Sequence, residues 1–331
     1  MRFLVVGLCM IGLIASSDEP IAAPPYFIKA WGQVGTDDGE FEFPIGIAIH
    51  EQTIFVTDHY NNRVQMFDFD GKHLASFEVL PNPGGITADR DGTLFLSHFP
   101  ASGRSKEKHP DRISVYSPAG KLLREWGKTG TGDGEFDFPG GLAIGPDERV
   151  YVADQTNRRV QVFDKEGKFL AKFGEYGTQP GQFGGNINPK SRVGGPQFLA
   201  FDKAGQLYTT EGMLGRVQKL TREGKPILSW GNLKDEPGGF GGKFTGFKDK
   251  VANLEGPIGI TVDPHDHIWV ASINGRIQQF DTNGKLLGGV QSGQGSEPGK
   301  FFAPHTLAFN SRSEFFVVDS FNHRIQKFEL K

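Results

Sequence analysis

At 331 residues the chain could hold two ordinary domains, and its 36 basic against 39 acidic residues give a formal charge of −3. No basic stretch stands out as a nucleic-acid footprint, so binding to RNA or DNA is not expected. The one cysteine, Cys9, excludes a disulfide framework and a structural zinc–thiolate site.

Taken from the start, Met1-Arg2 is a short basic opening, and residues 3–15 are an uninterrupted apolar run, too short to span a bilayer. Ala15, Ser16 and Ser17 then offer small residues for cleavage before Asp18. Residues 1–17 read as a secretory signal peptide. That reading places the mature chain in a periplasmic or extracellular compartment, with no transmembrane segment after cleavage. Its mature form would lack cysteine and so form no disulfide despite an oxidising destination. Residues 18–25, DEPIAAPP, are a Pro-rich leader, and 26–331 form the folded domain.

Tyr26–Trp31, YFIKAW, reads as a strand with no partner nearby in sequence. After it the chain repeats a unit that is clearest over 138–173. Four short apolar runs, 142–144, 150–153, 160–163 and 169–173, are each bounded by Gly, Pro, Asp or Asn. Runs this short, rich in Val, Ile and aromatics between turn residues, predict one antiparallel sheet with strands a, b, c and d. A Pro opens strand a six times, at Pro44, Pro83, Pro139, Pro196, Pro257 and Pro304. An Arg opens strand c six times, at Arg63, Arg112, Arg159, Arg216, Arg276 and Arg324. A four-strand unit recurring at intervals of about 40–60 residues predicts an all-β, six-bladed β-propeller of four-stranded antiparallel blades. The last blade runs out of sequence after strand c, so the N-terminal strand Tyr26–Trp31 is expected to supply its strand d and close the ring.

Asp58-His59-Tyr60-Asn61-Asn62-Arg63-Val64-Gln65 recurs as 154–161 (DQTNRRVQ) and 319–326 (DSFNHRIQ). This pattern resembles the NHL repeat, and the resemblance implies a propeller that spans 26–331. The pattern departs at the Asp position in three blades, where His98, Glu211 and Ser272 stand.

Connections differ in length. Turns from a to b and from c to d are tight, and strand alternation puts both sets on one face. The b–c and d–a connections share the other face, and the long ones, 99–111, 174–195, 231–255 and 291–303, all fall there. Insertions confined to one face of a repeat protein mark its expected binding face. Two rings of equivalent residues should line it. One follows the strand-a Pro: Ile45, Gly84, Gly140, Gln197, Ile258 and His305. The other ends strand b: Asp58, His98, Asp154, Glu211, Ser272 and Asp319.

An Asp opening a tight turn caps backbone N–H groups, and the Arg five positions on can pair with it, so Asp58, Asp154 and Asp319 read as structural. His98 and Glu211 break that pattern and become candidates for ligand contact. With them go His305, Gln197 of the same channel ring, and His59 of the first b–c turn. The segment Pro304-His305-Thr306-Leu307 resembles the Pro-His-x-Leu motif of peptidyl-amidoglycolate lyases, which are six-bladed propellers. That resemblance implies a zinc held by histidines in the channel, for which His305, His98 and Glu211 are the candidate ligands here. The ring supplies one such His, because Ile45 and Ile258 occupy matching positions. The segments 35–41 and 130–136, GTDDGEF and GTGDGEF, look like calcium loops but lack EF-hand carboxylate spacing. They are read as glycine turns whose Phe41 and Phe136 pack between blades. No Gly-x-Ser-x-Gly elbow supports serine catalysis.

Two functions from different classes follow. One is a secreted, non-catalytic scaffold that takes a protein, small-molecule or carbohydrate ligand on the long-loop face. The other is a metal-dependent lyase or hydrolase at the channel mouth. No cofactor follows from the residues alone, and zinc or calcium is the metal such a site would take.

Overall fold

The computed structural model describes residues 23–99, 111–184, 194–241 and 256–330. The signal-peptide reading of 1–17 and most of the leader lie outside the described residues, as do 100–110, 185–193 and 242–255 of the long connections.

Six four-stranded antiparallel sheets are arranged as blades. Blade 1 is Pro44–His50, Thr53–Asp58, Arg63–Phe67 and His73–Glu78. Blade 2 is Pro83–Ala88, Leu94–His98, Arg112–Tyr116 and Leu122–Trp126. Blade 3 is Pro139–Ile144, Val150–Asp154, Arg159–Phe163 and Phe169–Phe173. Blade 4 is Leu199–Phe201, Leu207–Glu211, Arg216–Leu220 and Pro226–Trp230. Blade 5 is Pro257–Val262, Ile268–Ser272, Arg276–Phe280 and Leu286–Val290. Blade 6 is Pro304–Phe309, Glu314–Asp319 and Arg324–Glu329, with Tyr26–Trp31 outermost, where Trp31 pairs with Ile325 and Tyr26 with Glu329.

The strand-a Pro is the first residue of its strand in five blades, and in blade 4 the strand begins later, at Leu199. In five blades it faces the residue that ends strand b, and the register then shifts before the next apolar pair, as from Pro139–Asp154 to Leu142–Val152. Pro has no N–H to give to a ladder, and a bulge accommodates it there. The bulge turns the innermost backbone toward the neighbouring blade. Thr57 Oγ1 accepts from Gly46 N–H at 2.7 Å and donates to Gly84 O at 2.7 Å, stitching blade 1 to blade 2. A methyl on Gly46 would lie 2.5 Å from Gly84 O. Gly46→Ala is therefore expected to cost about 1–3 kcal/mol in denaturant unfolding through overpacking. A change within about 0.5 kcal/mol would show that the inner strands can move apart.

The core is the set of spaces between blades. Five apolar clusters each join one pair of neighbours, and the sixth joins blades 4 and 5 and also takes in Ile45 and Ala303, so adjacent blades are packed all the way round the ring. Phe41 and Phe136 are fully buried in two of them, as the turn reading expected, and Phe183, Phe240 and Phe301 do the same work further round. Each belongs to a crossover between strand d and the next strand a. Gly127, at φ +95°, opens one such crossover, and a side chain there would strike the Phe136 ring. The isolated parallel bridges Val34–Phe41, Thr129–Phe136 and Gln294–Phe301 mark one shared crossover structure. This corrects the reading of 291–303 as a long insertion, because it folds as 32–43 and 127–138 do.

Candidate functional site

The end of strand b is a buried clamp. Asp154 Oδ2 accepts from Arg159 Nε at 2.7 Å and Gln161 Nε2 at 3.1 Å, and Oδ1 accepts from Asp137 N–H at 2.8 Å. Arg159 also donates to the carbonyls of Thr131, Gly132 and Glu135 at 2.8–2.9 Å, and so ties its blade to the crossover that precedes it. Asp58 with Arg63 (2.9 Å) and Asp319 with Arg324 (2.8 Å) repeat the arrangement. These bonds between b–c turns and d–a crossovers put both kinds of connection on one face. Burial pushes the three Asp carboxyls up, while hydrogen bonds from Asn, Arg and backbone N–H groups pull them back.

Glu211 and His98 sit in that same machinery. Glu211 is 1% exposed and accepts from Arg216 Nε at 2.7 Å, Gln218 Nε2 at 2.7 Å and Gly184 N–H at 2.9 Å. It closes the clamp of blade 4 with one extra methylene, so the departure from Asp does not release it from structural duty. His98 is fully buried in blade 2, with Nδ1 3.0 Å from Pro81 O and Nε2 2.5 Å from Ser114 Oγ. There an imidazole and a serine replace the Asp and Gln of other blades, and Arg112 turns to Glu125 at 2.8 Å. Asp111, which the sequence reading passed over, supplies a further buried carboxylate that accepts from Phe138 N–H at 3.1 Å and Thr129 Oγ1 at 2.8 Å.

The channel ring is mostly buried. Ile45, Gly84, Gly140, Gln197 and Ile258 are buried, and His305 is half-buried. His305 Nδ1 lies 3.0 Å from Ala303 O, and its ring meets the Phe43 ring at 5.3 Å. Burial pushes its pKa down to about 4. It is neutral at neutral pH. His98, Glu211 and His305 belong to three different blades, each with its own local partners, and the structure does not bring them together. No group of three His, Cys, Asp or Glu placed to hold a metal exists among the described residues. One imidazole ringed by Ile, Gly and Gln does not fit a zinc held by three protein side chains.

What the mouth does hold is an arc of rings. Phe302 and Phe321 meet at 5.7 Å, Phe321 and Phe43 at 4.9 Å, and Phe43 and Tyr60 at 5.7 Å. His59 continues the arc from Tyr60 at 4.6 Å to Phe99 at 5.6 Å, and Phe99 stacks on Phe138 at 4.7 Å. His59 itself is buried, with Nδ1 3.0 Å from Pro83 O. The phenyl and phenol rings are half-buried. Phe43 and Phe138 stand at φ +62° and +61°, a conformation that costs of order 1 kcal/mol or more for a bulky residue. Beside the arc, the crossovers at 33–42 and 128–137 carry seven carboxylates and one lysine. Hydrogen bonds hold Glu40 and Glu135 below the usual carboxylate range. The described part of this face is thus an apolar aromatic patch with an anionic border.

Comparison with known proteins agrees with the fold. A family model described as NHL repeat matches residues 136–163. An alignment over 138 positions that covers 39% of this chain is 28% identical to Protein brain tumor of Drosophila melanogaster, of which it covers 12%. Among solved structures, virginiamycin B lyase from Staphylococcus aureus is similar with a TM-score of 0.52 at 16% identity, covering 92% of this chain and 89% of that one. A gluconolactonase from Xanthomonas campestris is similar with a TM-score of 0.58 at 15% identity, covering 94% and 98%. At such identities the two structures speak for the fold alone.

Proposed function

We propose that this chain, a six-bladed propeller of the NHL-repeat family, is an exported, non-catalytic scaffold that binds a protein through the face of its b–c turns and d–a crossovers. The aromatic arc at the channel mouth carries the reading. Half-buried aromatic rings that touch one another at a surface are what protein interfaces use as anchors. Two of these rings, Phe43 and Phe138, stand at the positive-φ position before a strand-a Pro, where the other blades place Asn82, Gly195, Gly256 and Ala303. The long connections 99–111, 174–195 and 231–255 leave the ring on the same face and support the reading from sequence. A carbohydrate would also stack on such rings, and the test separates the two.

Wild-type protein and the Tyr60→Ala/Phe138→Ala variant are used to capture partners from the secreted fraction of the native source, followed by cross-linking. Cross-links from wild type to a protein at 33–42 and 127–138, lost in the variant, are expected. Charge reversal at Lys121 or Lys168, in the c–d turns of the opposite face, is expected to change nothing. Cross-links that map to those short turns overturn the assignment. The lyase alternative rests on His305 and needs further ligands from outside the described residues. Stoichiometric zinc in metal analysis of the purified chain, lost in His305→Ala, would move the assignment to it.

A further inference from the structure

The clamp at the end of strand b has a carboxylate acceptor in blades 1, 3, 4 and 6. Blade 5 keeps the donors without the acceptor. Ser272 stands opposite Arg276 in the ladder, as Asp58 stands opposite Arg63. Its Oγ is fully buried and has no hydrogen-bond partner among the described residues. Arg276 Nη1 donates to Glu236 O at 3.1 Å and Nη2 bonds Asp235, but Nε, which elsewhere donates to the carboxylate, has no acceptor among the described residues. Among the described residues Gln278 Nε2 donates to Gly239 O alone, at 2.9 Å, whereas Gln65, Gln161, Gln218 and Gln326 each also reach a carboxylate. Asn274 spends Nδ2 on Gly241 O, and its Oδ1 is buried without a partner among the described residues. Burial lowers the Arg276 pKa.

We propose that blade 5 binds a small monovalent anion, chloride or a carboxylate of formate size, between Arg276 Nε, Gln278 Nε2 and the Ser272 hydroxyl. The ion takes the place that the other blades fill with their own side chain. Three donors then share one acceptor, which is the arrangement the four complete clamps have. Serine is shorter than aspartate by a carboxylate carbon and one oxygen, so the room left is that of a small ion. The Asn274 Oδ1 acceptor defines the competing occupant, a water that bridges it to Ser272.

The test is thermal unfolding of the full chain at constant ionic strength as bulky isethionate is replaced by chloride or by formate. An ion bound only by the folded state raises the midpoint by mass action. The wild-type midpoint is expected to rise by about 2–4 °C, and the more effective anion identifies the ligand. Ser272→Asp, which carries its own carboxylate, should start higher and show no response. Arg276→Gln should also show none, and it keeps the test valid if Ser272→Asp does not fold. Bromide soaked into wild-type crystals should give an anomalous peak within hydrogen-bond reach of Arg276 Nε. Equal responses in all three proteins or no response in wild type overturns the proposal in favour of the bridging water, and so does a missing bromide peak where chloride is the more effective anion.

Discussion

Asp154→Ala is expected to destabilise the chain by about 3–5 kcal/mol, measured by denaturant unfolding, because it leaves a buried arginine without its counter-charge. Arg159 is almost wholly enclosed and has its Nε on Asp154 Oδ2 at 2.7 Å. Its remaining bonds go to neutral carbonyls of the preceding crossover. The same substitution leaves Asp137 N–H without its acceptor and takes one acceptor each from Asn157 and Gln161. The carboxylate and the guanidinium are each costly to bury and are stable there only together. Asp154→Glu should cost clearly less than Asp154→Ala, since Glu211 closes the equivalent clamp in blade 4 with the same Arg spacing. A loss below about 1 kcal/mol for the alanine variant would mean that the arginine is satisfied by carbonyls and water alone.

The same clamp explains what the sequence made legible. The Asp, Asn, Arg and Gln that mark the repeat are the acceptor and donors of one buried network, and their spacing is set by the b–c turn that folds back over it. Repetition therefore revealed the blades and their order. It misled where the chemistry was kept by a different residue. Glu211 looked freed from the repeat because it is not Asp, yet a carboxylate one methylene longer reaches the same arginine. His98 looked freed for the same reason, and its compensating partner Ser114 could be recognised only once the two strands were paired. The aromatic arc was hidden for a geometric reason. Phe43 and Phe138 precede a strand-a Pro, Phe99 follows a strand b, and Tyr60 and Phe321 sit inside b–c turns. Aligned repeats put Phe43 with Phe138 and Tyr60 with Phe321 but spread the arc over several columns, and curvature of the ring brings them together. A signal existed at the residue before each strand-a Pro, where blades 4 and 5 use Gly195 and Gly256 for a positive φ and blades 1 and 3 hold a Phe in the same strained conformation.

Stability should fall as pH drops from about 6.5 to about 4, and His305→Gln should remove that part of the fall. The ordinary imidazole value is 6.5, and burial in the channel lowers it to about 4 in the folded chain, against a smaller opposing effect from Ala303 O. The folded value lies below the unfolded one, so between the two it is the unfolded chain that holds the proton. Lowering the pH through that window favours unfolding, and above it this group contributes its full stability. The window is worth about 2–3 kcal/mol at most, after allowance for the exposed part of the side chain. Around the imidazole stand Phe43, Phe321 and the Ala303 carbonyl, and among the described residues no carboxylate hydrogen-bonds to it. Its protonation therefore places an uncompensated charge among aromatic rings and loosens the arc at the Phe43 contact. Other carboxylates titrate near the lower end of the window, so the measured quantity is the difference between wild-type and His305→Gln unfolding free energies across pH 7 to 4. A difference that grows as pH falls, in favour of the variant, is the expected outcome. Parallel curves would mean that channel water reaches the ring well enough to carry its charge, and the mouth would then be an open, hydrated entrance in place of a closed aromatic one.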